Sequence, residues 1–236
     1  MMIKLLQWNI WFKENIDNIL TELRRFDTDI ACLQELSITT ANDSNAKKLK
    51  ELYPFVYYEI ADTFQDGRSQ CNAILSKYPF LKTGKYFVQE PSDDKNDYSK
   101  EGRVYLEAQL DIDGKEITIG TTHLSYTHKF EETPLKDEEI NKLVSYINKK
   151  ERFVFTGDLN TTKTSKYIKR IEQLLINNDT PNTWTTKPFS YQGFNEDKLN
   201  WKLDYVFSTP DIQIKETKTL ETRFSDHLPI LCIFDF

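Results

Sequence analysis

Short apolar runs of β-type residues recur along this chain, and a polar group stands where each one stops or starts. The clearest is Phe153-Val154-Phe155-Thr156-Gly157-Asp158-Leu159-Asn160, in which four β-prone residues suited to a core give way to a glycine and a carboxylate. In the same manner residues 3–8 lead to Asn9, residues 30–33 lead to Gln34-Glu35, and residues 115–122 lead to His123. Asp204 lies at the start of the run 203–207, and Asp226-His227 precede the last run, 230–234. Neighbouring antiparallel strands put opposite ends on one rim, so polar residues from the whole length of the chain are expected to meet in one small volume.

Between these runs the apolar residues take helical spacing. Asn15, Ile16, Ile19, Leu20, Leu23 and Phe26 predict a first helix, closed by Asp27-Thr28-Asp29. Residues 41–52, stopped by Tyr53-Pro54, predict a second; residues 135–148, with Ile140, Leu143, Val144 and Ile147 in register, a third; and residues 165–177, capped by Ser165, a fourth. Further strands are expected at 55–60, 72–76 and 212–220, and Asp113-Gly114 marks a hairpin between 104–111 and 115–122. The stretch 89–102 is polar without a period and reads as a surface loop, and the Lys/Glu run 129–139 reads as a solvated loop and helix face. Strands outnumber helices and are joined by short connections, which predicts antiparallel or mixed sheets covered by a few helices. No Pro, Gly or Ser-rich linker divides the chain, so one domain over residues 1–236 is expected.

A net charge of −6 argues against wholesale electrostatic capture of nucleic acid, while leaving room for a local basic groove. Cys32, Cys71 and Cys232 are odd in number and far apart, as small buried hydrophobes of a reducing, cytoplasmic compartment would be. No apolar run is long enough to span a bilayer, no signal-peptide pattern opens the sequence, and a monomer without membrane contact is expected. Chemically, Glu35 with Asn9 and Asp226 offers hard oxygen ligands that favour Mg²⁺ or Mn²⁺. His227 needs a carboxylate to fix its tautomer, for which Asp204 is available, and His123 supplies a second imidazole. Imidazoles, carboxylates and a divalent cation are what hydrolysis of a phosphate ester requires.

Trp8-Asn9-Ile10, Leu33-Gln34-Glu35, Thr122-His123-Leu124, Gly157-Asp158-Leu159-Asn160, Leu203-Asp204-Tyr205 and Ser225-Asp226-His227 resemble, in order, the motifs of the endonuclease/exonuclease/phosphatase superfamily, whose fold is that of deoxyribonuclease I. The segment Asn72-Ala73-Ile74-Leu75-Ser76 and Trp184 also resemble family segments. The resemblance implies an α+β fold, a four-layered α/β/β/α sandwich of two mixed, mainly antiparallel sheets with the site at one end. It implies Glu35 as the main metal ligand with Asn9 and Asp226 nearby, Asp158 aligning or deprotonating the attacking water, and Asn160 orienting that water or the phosphate. His227, held by Asp204, would stabilise the transition-state oxygens or act as base, and His123 would contact the phosphate. Arg103, Asn72 and Trp184 are expected on the substrate side. The implied activity is a Mg²⁺-dependent phosphodiesterase acting on DNA or RNA ends. The alternatives are a phosphatase or diesterase for a small or lipid-like phosphate, and a non-catalytic binding module. Two departures stand out: Trp11 replaces the acid or amide of many DNA-repair members, and Cys71 replaces the usual glycine before Asn72.

Overall fold

The computed structural model describes residues 1–39, 44–94 and 100–236. Its centre is a pair of six-stranded sheets. The first runs, in spatial order, β13 (Gln213–Thr219), β14 (Ile230–Asp235), β1 (Ile3–Asn9), β2 (Ile30–Thr39), β4 (Arg68–Ser76) and β3 (Phe55–Thr63). The second runs β5 (Phe80–Gln89), β6 (Arg103–Ile112), β7 (Lys115–His123), β8 (Phe153–Asp158), β12 (Asp204–Ser208) and β9 (Ile176–Asn177). Both sheets are mixed for the same reason. β1 and β2 are parallel because α1 (Ile16–Phe26) carries the chain back between them, and α3 (Pro134–Ile147) does the same for β7 and β8. The other ladders are antiparallel.

Strand alternation divides each sheet into two faces. Leu5, Ile30, Cys32 and Ile74 of the first sheet pack against Leu106, Ile119, Val154 and Val206 of the second, forming the core between the sheets. Leu6, Trp8, Ala31 and Leu33 point outward to Ile16, Ile19, Leu20 and Leu23 of α1 and to Leu49 of α2 (Ser44–Leu49). Tyr105, Phe153, Phe155 and Tyr205 point outward to α3 and α4 (Lys166–Glu172). The result is the expected four-layered α/β/β/α sandwich. All three cysteines are buried and free, and burial raises the Cys32 thiol to about 12, so it behaves as an apolar filler. Among the described residues no helix is long and apolar enough to cross a membrane.

Some elements differ from the sequence expectation. α2 begins at Ser44, and residues 41–43 of the expected second helix lie outside the described residues, as do 95–99 of the expected loop. α4 ends at Glu172, and the chain then turns to pair as β9 along β12. β5 breaks the apolar pattern with Lys82, Gly84 and Lys85 because it is an edge strand whose side chains mostly face solvent. The hairpin β10 (Phe189–Tyr191) and β11 (Phe194–Glu196) lies apart from both sheets, on a small aromatic cluster with Phe130, Trp184 and Trp201.

The Lys/Glu run is also corrected. Lys136 and Glu139 are completely buried, because they fall on the same helical stripe as Ile140, Leu143 and Ile147, the face that α3 turns to the sheet. Their burial is tolerated because every charge has a partner. Glu139 accepts from the N–H of Ser125 at 3.2 Å and from its hydroxyl at 2.5 Å, while Lys136 Nζ donates to the carbonyls of Ser125 and, at 3.2 Å, Leu159. This pair ties the loop after β7 to the loop after β8.

Two predictions follow from packing. A Cβ added to Gly157 would lie 2.4 Å from the Thr122 carbonyl oxygen of the neighbouring strand, so Gly157→Ala is expected to lower stability by about 3 kcal/mol, read as a shifted urea midpoint. Lys136→Met leaves Glu139 uncompensated and is expected to cost about 3 kcal/mol in the same assay. The double variant Lys136→Met/Glu139→Met recovers part of that loss, since no buried charge is left unpaired.

Candidate active site

Strand register assembles half of the site. In the second sheet His123 lies opposite Asp158 across the parallel β7–β8 pair, and Asp158 lies opposite Asp204 across the antiparallel β8–β12 pair. Three polar side chains from distant parts of the sequence therefore stand in one row at one end of the sheet. Asp158 and Asp204 are both buried, and like charges so placed repel. His227, on the loop before β14, resolves the conflict: its Nδ1 is 2.7 Å from Asp204 Oδ2 and its Nε2 is 3.6 Å from Asp158 Oδ2. Gln7 Nε2 adds a hydrogen bond to the other Asp204 oxygen at 3.3 Å, and Gln34 Nε2 reaches Thr121 across the two sheets at 2.9 Å. At this end the intersheet core is polar.

The first sheet contributes Asn9, at the end of β1, and Glu35. The expectation that Glu35 ends its strand is corrected: β2 continues to Thr39, and a bulge between Leu33 and Leu36 interrupts its ladder with β4. Glu35 sits in the bulge at φ 60°, a left-handed backbone that re-aims its carboxylate. Trp11 at φ 60° and Asn160 at φ 45° share this uncommon conformation, so three residues that touch the site carry backbone strain. Asn9 Nδ2 bridges the two sheets, donating to Glu35 Oε1 and to Asp158 Oδ2, each at 3.0 Å. The N–H groups of Trp11 and Phe12 donate to Asn9 Oδ1 and Glu35 Oε2, both at 3.0 Å.

Burial sets the protonation states. Desolvation raises the Asp158 carboxyl to about 7, against the opposing charge of His227 and the hydrogen bonds from Asn9 and Asn160. Desolvation and the charge of Asp226 raise Glu35. Burial alone would lower His227, but Asp204 and Asp158 outweigh it and hold the imidazolium well above its usual range. His123 goes the other way: desolvation, then the charges of Arg103, His227 and Lys136, keep it neutral. Asn160 Nδ2 lies 3.1 Å from His123 Nε2 and 3.0 Å from the Leu124 carbonyl. The amide donates to that ring nitrogen, which assigns the remaining proton of His123 to Nδ1.

Thus Asn9, Glu35, His123, Asp158, Asn160, Asp204 and His227 form one connected set. Asp226 stands beside it, one oxygen accepting from Trp184 Nε1 at 3.3 Å and the other buried without a partner. Trp184 is itself 4% exposed, with its ring in the aromatic cluster under the rim. Arg103 lies behind His123, donating to Ser125 Oγ at 3.3 Å, Gln70 Oε1 at 3.4 Å and Glu101 at 2.6 Å. Asn72 is buried and donates to the Val104 carbonyl at 2.8 Å, a link between the sheets. Lys136, Glu139 and Ser125 were missed as supports of the site, although the helical spacing of Lys136 and Glu139 with Ile140 and Leu143 carried the signal.

Two groups of side chains could hold a cation. Ligand atoms of Asp158, Asp204 and His227 lie within 4.8 Å of one another, but His227, held as the imidazolium by the two carboxylates, has no lone pair to offer a cation. Glu35, Asp226 and Asn9 fit better. They are hard oxygen donors, the Glu35 carboxyl is held up by a second nearby carboxylate, and Asp226 has an unpartnered buried oxygen.

Comparison with known proteins bears on the fold and the family. No curated protein sequence matches. Among solved structures, an endonuclease/exonuclease/phosphatase from Beutenbergia cavernae DSM 12333 superposes with a TM-score of 0.80 at 20% identity, over 100% of this chain and 72% of that one. D. rerio TDP2 complexed with single strand DNA product gives 0.69 at 17%, over 100% and 99%. The mannosyl-6-phosphatase of Bacteroides thetaiotaomicron VPI-5482 gives 0.69 at 17%, over 99% and 100%. These likenesses concern the fold. The model of the Endonuclease/Exonuclease/phosphatase family matches residues 6–227, and the chain belongs to that family.

Proposed function

We propose that this chain, as one catalytic domain over residues 1–236, hydrolyses phosphate esters with the aid of Mg²⁺ or Mn²⁺, and that its substrates are phosphodiesters at DNA or RNA ends. Members of the family are generally hydrolases of phosphate esters. The observation that carries the reading is the sharing of one rim by two differently tuned groups. Glu35 and Asp226 stand on the first-sheet side, and a buried carboxylate flanked by two imidazoles stands on the other.

In this reading Glu35, Asp226 and Asn9 hold the cation, which when bound supplies neutralisation of the phosphate oxygens. Asp158 holds the attacking water. Its Oδ1 is fixed by the Asn160 N–H at 2.9 Å and its Oδ2 by Asn9, leaving that oxygen 3.5 Å from His123 and 3.6 Å from His227. A carboxyl raised to about 7 is matched to accepting a proton near neutrality. His227, kept cationic by Asp204, donates from Nε2 to an anionic phosphate oxygen, and Asn160 orients the same group. A binding module has no use for a water-holding carboxylate of this kind. The fold neighbour complexed with single strand DNA product favours the nucleic-acid substrate. The net charge of −6 and the mannosyl-6-phosphatase neighbour favour a small phosphate as the second reading.

The test is Mg²⁺-dependent cleavage of end-labelled single-stranded, nicked and abasic oligonucleotides beside a panel of small phosphate esters. Asp158→Asn is expected to lower kcat/KM by about 10³-fold in a protein that stays folded at the assay temperature. Turnover of the small esters alone selects the second reading, and a folded protein silent on both panels overturns both. Millimolar MgCl₂ is expected to raise the melting temperature of the wild-type protein and to leave that of Glu35→Gln unmoved; EDTA abolishes turnover.

A further inference from the structure

On the Glu35 side of the rim three stretches of chain converge: Trp11-Phe12-Lys13 after β1, Arg68 at the start of β4, and Lys187 in the loop after Trp184. The rings of Trp11 and Phe12 are anchored to the site by their own N–H groups, on Asn9 and Glu35. Lys187 Nζ lies 4.2 Å from the centroid of the Trp11 ring and Lys13 Nζ 5.6 Å from it. Lys13 also lies 5.4 Å from the Phe12 ring, and the Arg68 guanidinium 5.8 Å. Lys187 is kept beside the site because the N–H of Thr186 donates to the Asp226 carbonyl at 2.9 Å.

Local acids cancel this charge in part: Arg68 pairs with Asp66 at 2.7 Å and Lys187 with Glu14 at 3.9 Å, while Lys13 makes no ion pair among the described residues. In a chain of net charge −6 this is a ridge of cations beside the candidate cation ligands. Cations already lie over both rings and compete there with the stacking of a base. The rings instead hold the lysines in position and lower the entropy lost when an anion is bound. A compact ammonium is a point-charge binder of phosphate.

We propose that Lys13 and Lys187, steadied by Trp11 and Phe12 and supported by Arg68, bind a second phosphate group of the substrate, flanking the one that is hydrolysed. The inference rests on the phosphoesterase reading above and names its substrate class: molecules with two neighbouring phosphates, either successive phosphates of a nucleic-acid strand or a small bisphosphate. Trp11, the departure from the family pattern, is on this view the residue that builds the second subsite.

The test is binding without divalent metal, measured by titration calorimetry with three probes: 5′-phosphorylated oligothymidylate, inorganic pyrophosphate and inorganic orthophosphate. Lys13→Gln/Lys187→Gln is expected to weaken at least one of the first two by about tenfold and orthophosphate by less than about twofold. Lys215→Gln, on β13, is expected to match the wild type, and Trp11→Leu to weaken binding in the same direction as the double variant. A loss confined to oligothymidylate, with a salt slope shallower by about 0.7 per lost phosphate contact, identifies a strand; a loss on pyrophosphate identifies a small bisphosphate. Wild-type affinities in the double variant, an equal loss on orthophosphate, or no binding of either two-phosphate probe by the wild type overturns the proposal. Hydrolysis is read separately, so affinity that depends on these lysines in a protein that cleaves nothing refutes the phosphoesterase reading alone.

Discussion

The pairing of two buried carboxylates with one imidazole is the constraint around which this structure is arranged. Asp158 and Asp204, both buried, face each other across an antiparallel ladder, and His227 reaches Asp204 at 2.7 Å and Asp158 at 3.6 Å. Without that imidazolium one carboxyl would have to be neutral or the strands would have to part. Much of the surrounding polar structure serves this arrangement. Trp8 Nε1 donates to the His227 carbonyl at 3.1 Å, Ser225 Oγ to the Asn9 carbonyl at 2.7 Å, and Gln7 supports Asp204 from the other sheet.

A second buried ion pair performs the corresponding task on the helical side. Lys136 and Glu139 hold Ser125 through its N–H, carbonyl and hydroxyl, and hold Leu159 through its carbonyl. The loop that follows His123 and the loop that carries Asn160 are therefore fastened to a helix as well as to each other. Buried pairs of this kind contribute little net stability, since desolvation offsets attraction, and their value lies in fixing one geometry. The left-handed backbone at Glu35 and Asn160 needs such over-determined surroundings to persist.

Much of this was legible in the chain. Apolar runs of β-type residues gave the strands around Asn9, His123, Asp158 and Asp204, and helical spacing gave α1 and α3. Glu35 was legible as a residue but not as a bulge, because a bulge depends on the register of two strands that meet only in the sheet. β5 was illegible because an edge strand whose side chains mostly face solvent has no apolar repeat to display. Lys136 and Glu139 were misread because their charge outweighed their spacing. Asn72 and Trp184 were legible as motif residues, yet their partners, the Val104 carbonyl and Asp226, are set by contacts between distant segments.

The sequence by itself determined most of the strands and helices and the type of polar residue near each strand end, because those follow from local periodicity and from the side chain itself. Only the tertiary structure decided which of those residues meet and in what protonation state. Desolvation and the distance between charges are properties of the assembled rim: Asp158 rises to about 7, and one histidine is neutral while the other is cationic, only because two sheets and two buried ion pairs close around them.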